Sequence, residues 1–160
     1  MPLIDRSGSQ IDDPWRYPAE AEEPAQVENA IVRLAQWEAY CASVPAAPAG
    51  VWVTGDQDVA DLLPLLEQLQ VIVIEFPKSR DGRGFTLARV LRERHHYGGD
   101  IRATGPLLPD QFAMLTQCGF SSLLAPDTVP VQRWRDAASA LAQGSVKPIT
   151  LLDRLSRGRR

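Results

Sequence analysis

Cysteine is nearly absent from this sequence: Cys41 and Cys118 are the two in 160 residues, far apart and outside any CxxC pair. That spacing excludes a dithiol redox motif and leaves no zinc or iron–sulfur ligand set to assemble. Both cysteines read as small buried hydrophobes. Histidine is as scarce. His95 and His96 are adjacent, so their side chains diverge, and no third ligand accompanies them; no metal site is expected. No apolar run approaches the ~20 residues of a membrane-spanning helix. The opening MPLIDRSGSQIDDPW has no basic stretch followed by an apolar one, so no secretory signal is expected and the cytoplasm is the expected compartment. A dinucleotide GxGxxG, a P-loop and a serine–histidine–acid set are missing too, and no cofactor is expected.

Charge is present but unevenly spread. Residues 1–70 carry 12 acids against 3 bases, residues 71–102 carry 4 against 7, and residues 103–160 again carry 4 against 7. The second half therefore suits an anionic ligand or an acidic partner. A net charge of −3 does not suit a nucleic-acid binder. The four tryptophans, Trp15, Trp37, Trp52 and Trp134, lie mostly at core-type positions and form no stacking platform for bases.

Hydrophobic periodicity divides the chain into an N-terminal hairpin with an acidic connector (1–26), an α/β domain (27–144) and a basic C-terminal tail (145–160). The hairpin is expected at Leu3–Ile11. Val27, Ile31, Leu34, Ala35 and Trp37 recur at three- and four-residue steps, which predicts a helix over Val27–Ala42, ended by the linker PAAPAG. Four strand–helix units then follow. Strands are expected at Val51–Thr54, Val71–Phe76, Asp100–Ala103 and Ser121–Leu124. The helices are expected from an Asp56 cap to Gln70, kinked at Pro64; over Gly84–His95; over Asp110–Cys118 with Gly119 as the stop; and after Asp127/Thr128, ending at Gly144. VIVIEF is continuously apolar, as in a parallel strand covered on both faces. The expected fold is α/β with a parallel sheet, either open and doubly wound or half of a (βα)8-type barrel.

Ligands of parallel sheets bind beyond the carboxyl ends of the strands. That rule selects the arginine-rich segment Glu75–Gln111. In EFPKSRDGRGF, Gly82 and Gly84 flank Arg83 before a helix, where backbone N–H groups and the guanidinium can hold an oxyanion. The plainer reading is a tight turn with Asp81 as helix cap. Arg102 falls inside a strand and needs a partner or an anion; Asp100, Asp81 and Glu75 are the nearest candidates. Asp110 and Gln111 open the next helix as caps or face the same mouth. The anion-binding candidates are thus Gly82, Arg83, Gly84, Arg102 and Gln111, with Asp81 and Asp110 as candidate acid/base groups. On the intervening helix Arg89, Arg92, Glu93 and His96 share a side opposite Leu87, Val90 and Leu91: a solvated face, or a partner contact through Arg89, Arg92 and His96.

The blocks FPKSRDGRGFTLARVLRER, YGGDIRATG, LPDQF and CGF, with DPW at 13–15, resemble a bacterial domain-of-unknown-function family labelled as oxidoreductases involved in sulfite reduction. The similar positions are Phe76–Gly84, Ala88–Arg92, Gly99–Gly105 and Asp110–Gln111, within roughly residues 3–125. The histidine-rich HHY before Gly98 and Pro64 depart from the pattern. The resemblance implies an association with assimilatory sulfite reductase, with sulfite reductase as the partner. Three functions are carried forward: an accessory protein of sulfite reduction, a small enzyme acting on an oxyanion or phosphorylated metabolite, and a structural protein that pairs with a second copy of itself.

Overall fold

The computed structural model describes residues 1–18, 29–43 and 49–144. The acidic connector, the start of the Val27 helix, most of the PAAPAG linker and the basic tail lie outside the described residues. Strand β1 (Leu3–Asp5) and strand β2 (Gln10–Ile11) form the expected antiparallel hairpin, with Leu3 opposite Ile11. The Asp5 carboxylate closes its turn by accepting from the Ser7 and Ser9 backbone N–H groups at 2.8 and 3.0 Å.

The helix expected over Val27–Ala42 is corrected. Ala30–Arg33 is a strand, β3, running parallel to β4 (Ala49–Thr54) with Ala30 opposite Ala49. Extended backbone lets Ile31 pack on one face of the sheet while Ala30 and Val32 pack on the other. Leu34–Gln36 then makes one 3-10 turn into α1 (Trp37–Ser43).

Asp58, not Asp56, caps the next helix, accepting from Ala60 N–H at 2.9 Å. That helix, α2, covers only Val59–Leu62, and Pro64 carries the chain into a 3-10 turn at Leu63–Leu65. Strand β5 (Leu69–Glu75), α3 (Arg83–Glu93), β6 (Asp100–Thr104), α4 (Phe112–Gln117), β7 (Ser122–Leu124) and α5 (Val131–Ala142) follow. Gly119 ends α4 at φ +102, a left-handed conformation glycine adopts freely. Asp127 and Thr128 do not cap α5, which starts at Val131 with Pro130 in the cap position and no side-chain cap bond.

The seven strands form one sheet in the order β2-β1-β7-β6-β5-β4-β3. Strands β3 to β7 are parallel and lie side by side in chain order; β1 joins β7 antiparallel. Among the described residues the order never reverses across the parallel strands, so they contain no switch point of a doubly wound sheet.

The sheet is also curled. Ile11 ends the strand at one edge, and Arg16, five residues later, bridges Ala30 at the other edge. Five residues reach at most about 18 Å, whereas seven strands laid flat would separate those edges by about 29 Å. Only a curled sheet lets Asp12–Tyr17 cross between them, as a strap over the inner face. The outer face carries the main core, where Ile72, Ile74 and Ile101 meet Leu87, Leu91, Leu115 and Trp134 of the helices. The inner face holds a smaller apolar group, Ile31, Val71 and Val73, against the half-buried Trp15, Tyr17 and Trp52. No helix among the described residues is long and apolar enough to cross a membrane.

Candidate functional site

Alternation along β6 turns Ile101 and Ala103 into the main core and leaves Asp100, Arg102 and Thr104 for the inner face. Arg102 is only 4% exposed. A guanidinium so buried requires compensating charge and hydrogen bonds. Its Nε donates to Asp100 Oδ2 at 2.6 Å, and a terminal nitrogen donates to Asp13 Oδ1 at 2.8 Å and reaches the Tyr17 hydroxyl. Tyr17 in turn donates to Asp13 Oδ2 at 2.6 Å. Asp100 is held from behind by the Ser122 hydroxyl at 2.9 Å and by the Ser121 hydroxyl. Burial works against the Arg102 charge, but the hydrogen bonds it donates to Asp100 and Asp13 outweigh it and hold the guanidinium more firmly protonated than usual. Burial, then the bond to Asp13, pushes the Tyr17 phenol above its ordinary range.

The loop before α3 makes a separate group. Arg83 donates to Asp81 through Nε at 3.0 Å and a terminal nitrogen at 2.6 Å, and lies 3.4 Å from Asp56. The Arg83 backbone N–H also points at Asp81 Oδ1, 3.0 Å away. The anion expected at this helix start is therefore the chain's own Asp81 carboxylate. The Arg83 side chain and then its N–H hold that carboxyl at about 2. Gly82 has φ −83, so the turn does not need its left-handed freedom. Gly84 is there for space, since a Cβ on it would stand 2.6 Å from the Phe76 ring.

Gln111 spans two loops, accepting from Leu108 N–H at 2.9 Å and donating to the Ser79 carbonyl. Asp110 is exposed in the 3-10 turn Pro109–Gln111. Arg83 and Arg102 share no hydrogen-bond or ion-pair partner among the described residues. On α3, Arg89 is exposed beside Glu93 at 3.8 Å. Exposed His96 takes φ +51. Arg92 turns inward instead, donating to the carbonyls of Gly119 at 2.8 Å, Gly99 at 2.7 Å and Tyr97 at 2.5 Å.

Reasoning from local sequence finds Asp100 but misses Asp13 and Tyr17, which lie 89 and 85 residues from Arg102. The DPW block was the available signal: it contains Asp13. Sequence also misses the bond from Trp52 Nε1 to Glu75 Oε2 at 2.8 Å on the same inner face.

Fold and site together define a mixed α/β protein whose described residues form a seven-stranded sheet, with an arginine buried under a strap on its central strand. A family model described as "Bacterial protein of unknown function (DUF934)" matches residues 50–145, and the chain belongs to that family. No curated protein matches it.

Proposed function

We propose that this chain is a cytoplasmic accessory protein of assimilatory sulfite reduction that docks on sulfite reductase. Its framework is then a singly wound, half-barrel-like arrangement of strand–helix units. The sulfur assignment is supported by the sequence blocks at Phe76–Gly84, Ala88–Arg92, Gly99–Gly105 and Asp110–Gln111. One observation favours docking over catalysis: the acid/base candidate Asp81 is taken up by Arg83, and the anion-binding candidates Arg83, Arg102 and Gln111 are likewise hydrogen-bonded within the chain, which leaves only the exposed Asp110. A general acid or base needs its proton available to a substrate. The contact surface is the exposed part of α3 and the turn after it, Arg89, Arg94 and His96. Pairing of two copies through the sheet is the weaker reading, because the β3 edge already gives its Ile31 N–H to the Arg16 carbonyl at 2.8 Å.

The test is cross-linking of the tagged chain in a native lysate, with growth of a deletion strain on sulfate, sulfite and cysteine. Recovery of sulfite reductase, and rescue by cysteine but not by sulfite, is the expected result. Lysates that never yield sulfite reductase would sink the reading. A second reading, an oxyanion-binding protein, is favoured by one observation, the buried guanidinium of Arg102 on the central strand.

A further inference from the structure

The Asp12–Tyr17 strap crosses the inner face directly over Arg102. We infer that Arg102 is a binding site for a small oxyanion, and that the strap is its removable cover, with the Asp13 carboxylate standing where the oxyanion binds. The inference rests on the second reading above and adds what occupies the site when no ligand does.

Charge is the first support. Arg102 already has one carboxylate from its own strand, Asp100, fixed by the Ser122 and Ser121 hydroxyls. Asp13 is a second carboxylate against a single guanidinium. Exchange of Asp13 for an external oxyanion keeps negative charge against the guanidinium: a monoanion leaves the charge of the inner face unchanged, and a dianion such as sulfate adds one negative charge. An oxyanion also presents the same acceptor geometry to a guanidinium fork as a carboxylate does.

Packing is the second support. Trp15 and Tyr17 rest on the small inner group and not on the main core. Two backbone bonds at Arg16 anchor the strap, from its N–H to the Asn29 carbonyl at 2.9 Å and from Ile31 N–H to its carbonyl at 2.8 Å. Lifting the strap therefore leaves the helix-covered face intact. The guanidinium is then open between Val73 and Ser122, its neighbours in register on β5 and β7.

Titration calorimetry of the full chain with sodium sulfate and sodium phosphate, at fixed ionic strength, tests this. If the closed form dominates by about ten to one, Asp13→Ala binds sulfate about tenfold more tightly than the parent chain. Arg102→Lys placed in that background reverses the gain. Sulfate also speeds hydrogen exchange at the Arg16 amide of the parent chain. Should Asp13→Ala fold poorly, Asp13→Asn, which keeps the side-chain shape, carries the same expectation in smaller measure. A folded Asp13 variant that binds sulfate no better than the parent overturns the cover. Equal binding by both, lost with Arg102→Lys, overturns the cover but keeps the oxyanion site. No binding by either overturns both. None of these results bears on docking to sulfite reductase.

Discussion

Arg92 on α3 donates through Nε to the carbonyl of Gly119 at 2.8 Å, so a side chain of one helix fixes the end of the next. The same guanidinium holds the carbonyls of Tyr97 and Gly99 in the turn that leads into β6. Arg92→Ala strands several backbone acceptors at once, and charged donors of this kind contribute about 1.5–3 kcal/mol each before overlap. A loss of about 3 kcal/mol is expected, read as a fall of roughly 6–12 °C in Tm. Arg92→Lys recovers part of it, because an ammonium cannot reproduce the planar fork.

The two carboxylates on Arg102 are expected to differ in their contribution. Asp100→Ala leaves the guanidinium and two serine hydroxyls without their shared partner, at a cost of about 3–5 kcal/mol. Asp13→Ala removes the acid that the charge balance can spare and costs less. Urea denaturation of both variants checks the order; a larger loss for Asp13→Ala contradicts it.

Gly84→Ala sets two effects against each other. Alanine favours an exposed helix over glycine by about 1 kcal/mol, but here the added Cβ meets the Phe76 ring at 2.6 Å. Phe76 is pinned by Phe85 and Phe120, with ring centroids 5.0 and 5.8 Å away, so it has little room to yield. Overpacking of a core costs about 1–3 kcal/mol, and the variant is expected to be less stable than the parent in a thermal melt.

Stability should fall at both ends of the pH scale. The phenols of Tyr17 and Tyr97 are raised chiefly by burial, so their contribution is complete below the unfolded value near pH 10 and is lost above it. Tyr17→Phe should flatten the alkaline limb. Asp81, held at about 2, contributes above its unfolded value near 4, and that contribution is lost as pH falls from about 4 to 2. Asp81→Asn should flatten the acid limb. Denaturant midpoints measured from pH 2 to 11 check both signs.

The strands β5 and β6 and the helix α3 were legible because their apolar residues are local and continuous. Ala30–Arg33 was not. Ile31, Leu34 and Trp37 fit helical spacing over so short a run, and it is pairing with β4 that makes the first part extended. Asp56 and Asp58 are equally good caps by type, and only the chain path chose Asp58. The need of Arg102 for a partner could be read from its strand position. Asp13 could not be identified as that partner, because the contact depends on the sheet curling. Arg92 shows the opposite limit: helical spacing puts it on the polar side but cannot tell water from a covering loop.

The hairpin's place beside β7 also constrains how the protein is made. Leu3 pairs with Leu124, so β1 leaves the ribosome well before β7, the strand it pairs with. At about 5–20 residues per second the wait is roughly 6–24 s. During it β1 has no neighbour except β2, and Trp15 of the strap is without the inner-face group it packs on. The nascent chain must therefore keep its N-terminal hairpin from pairing elsewhere until synthesis has passed β7.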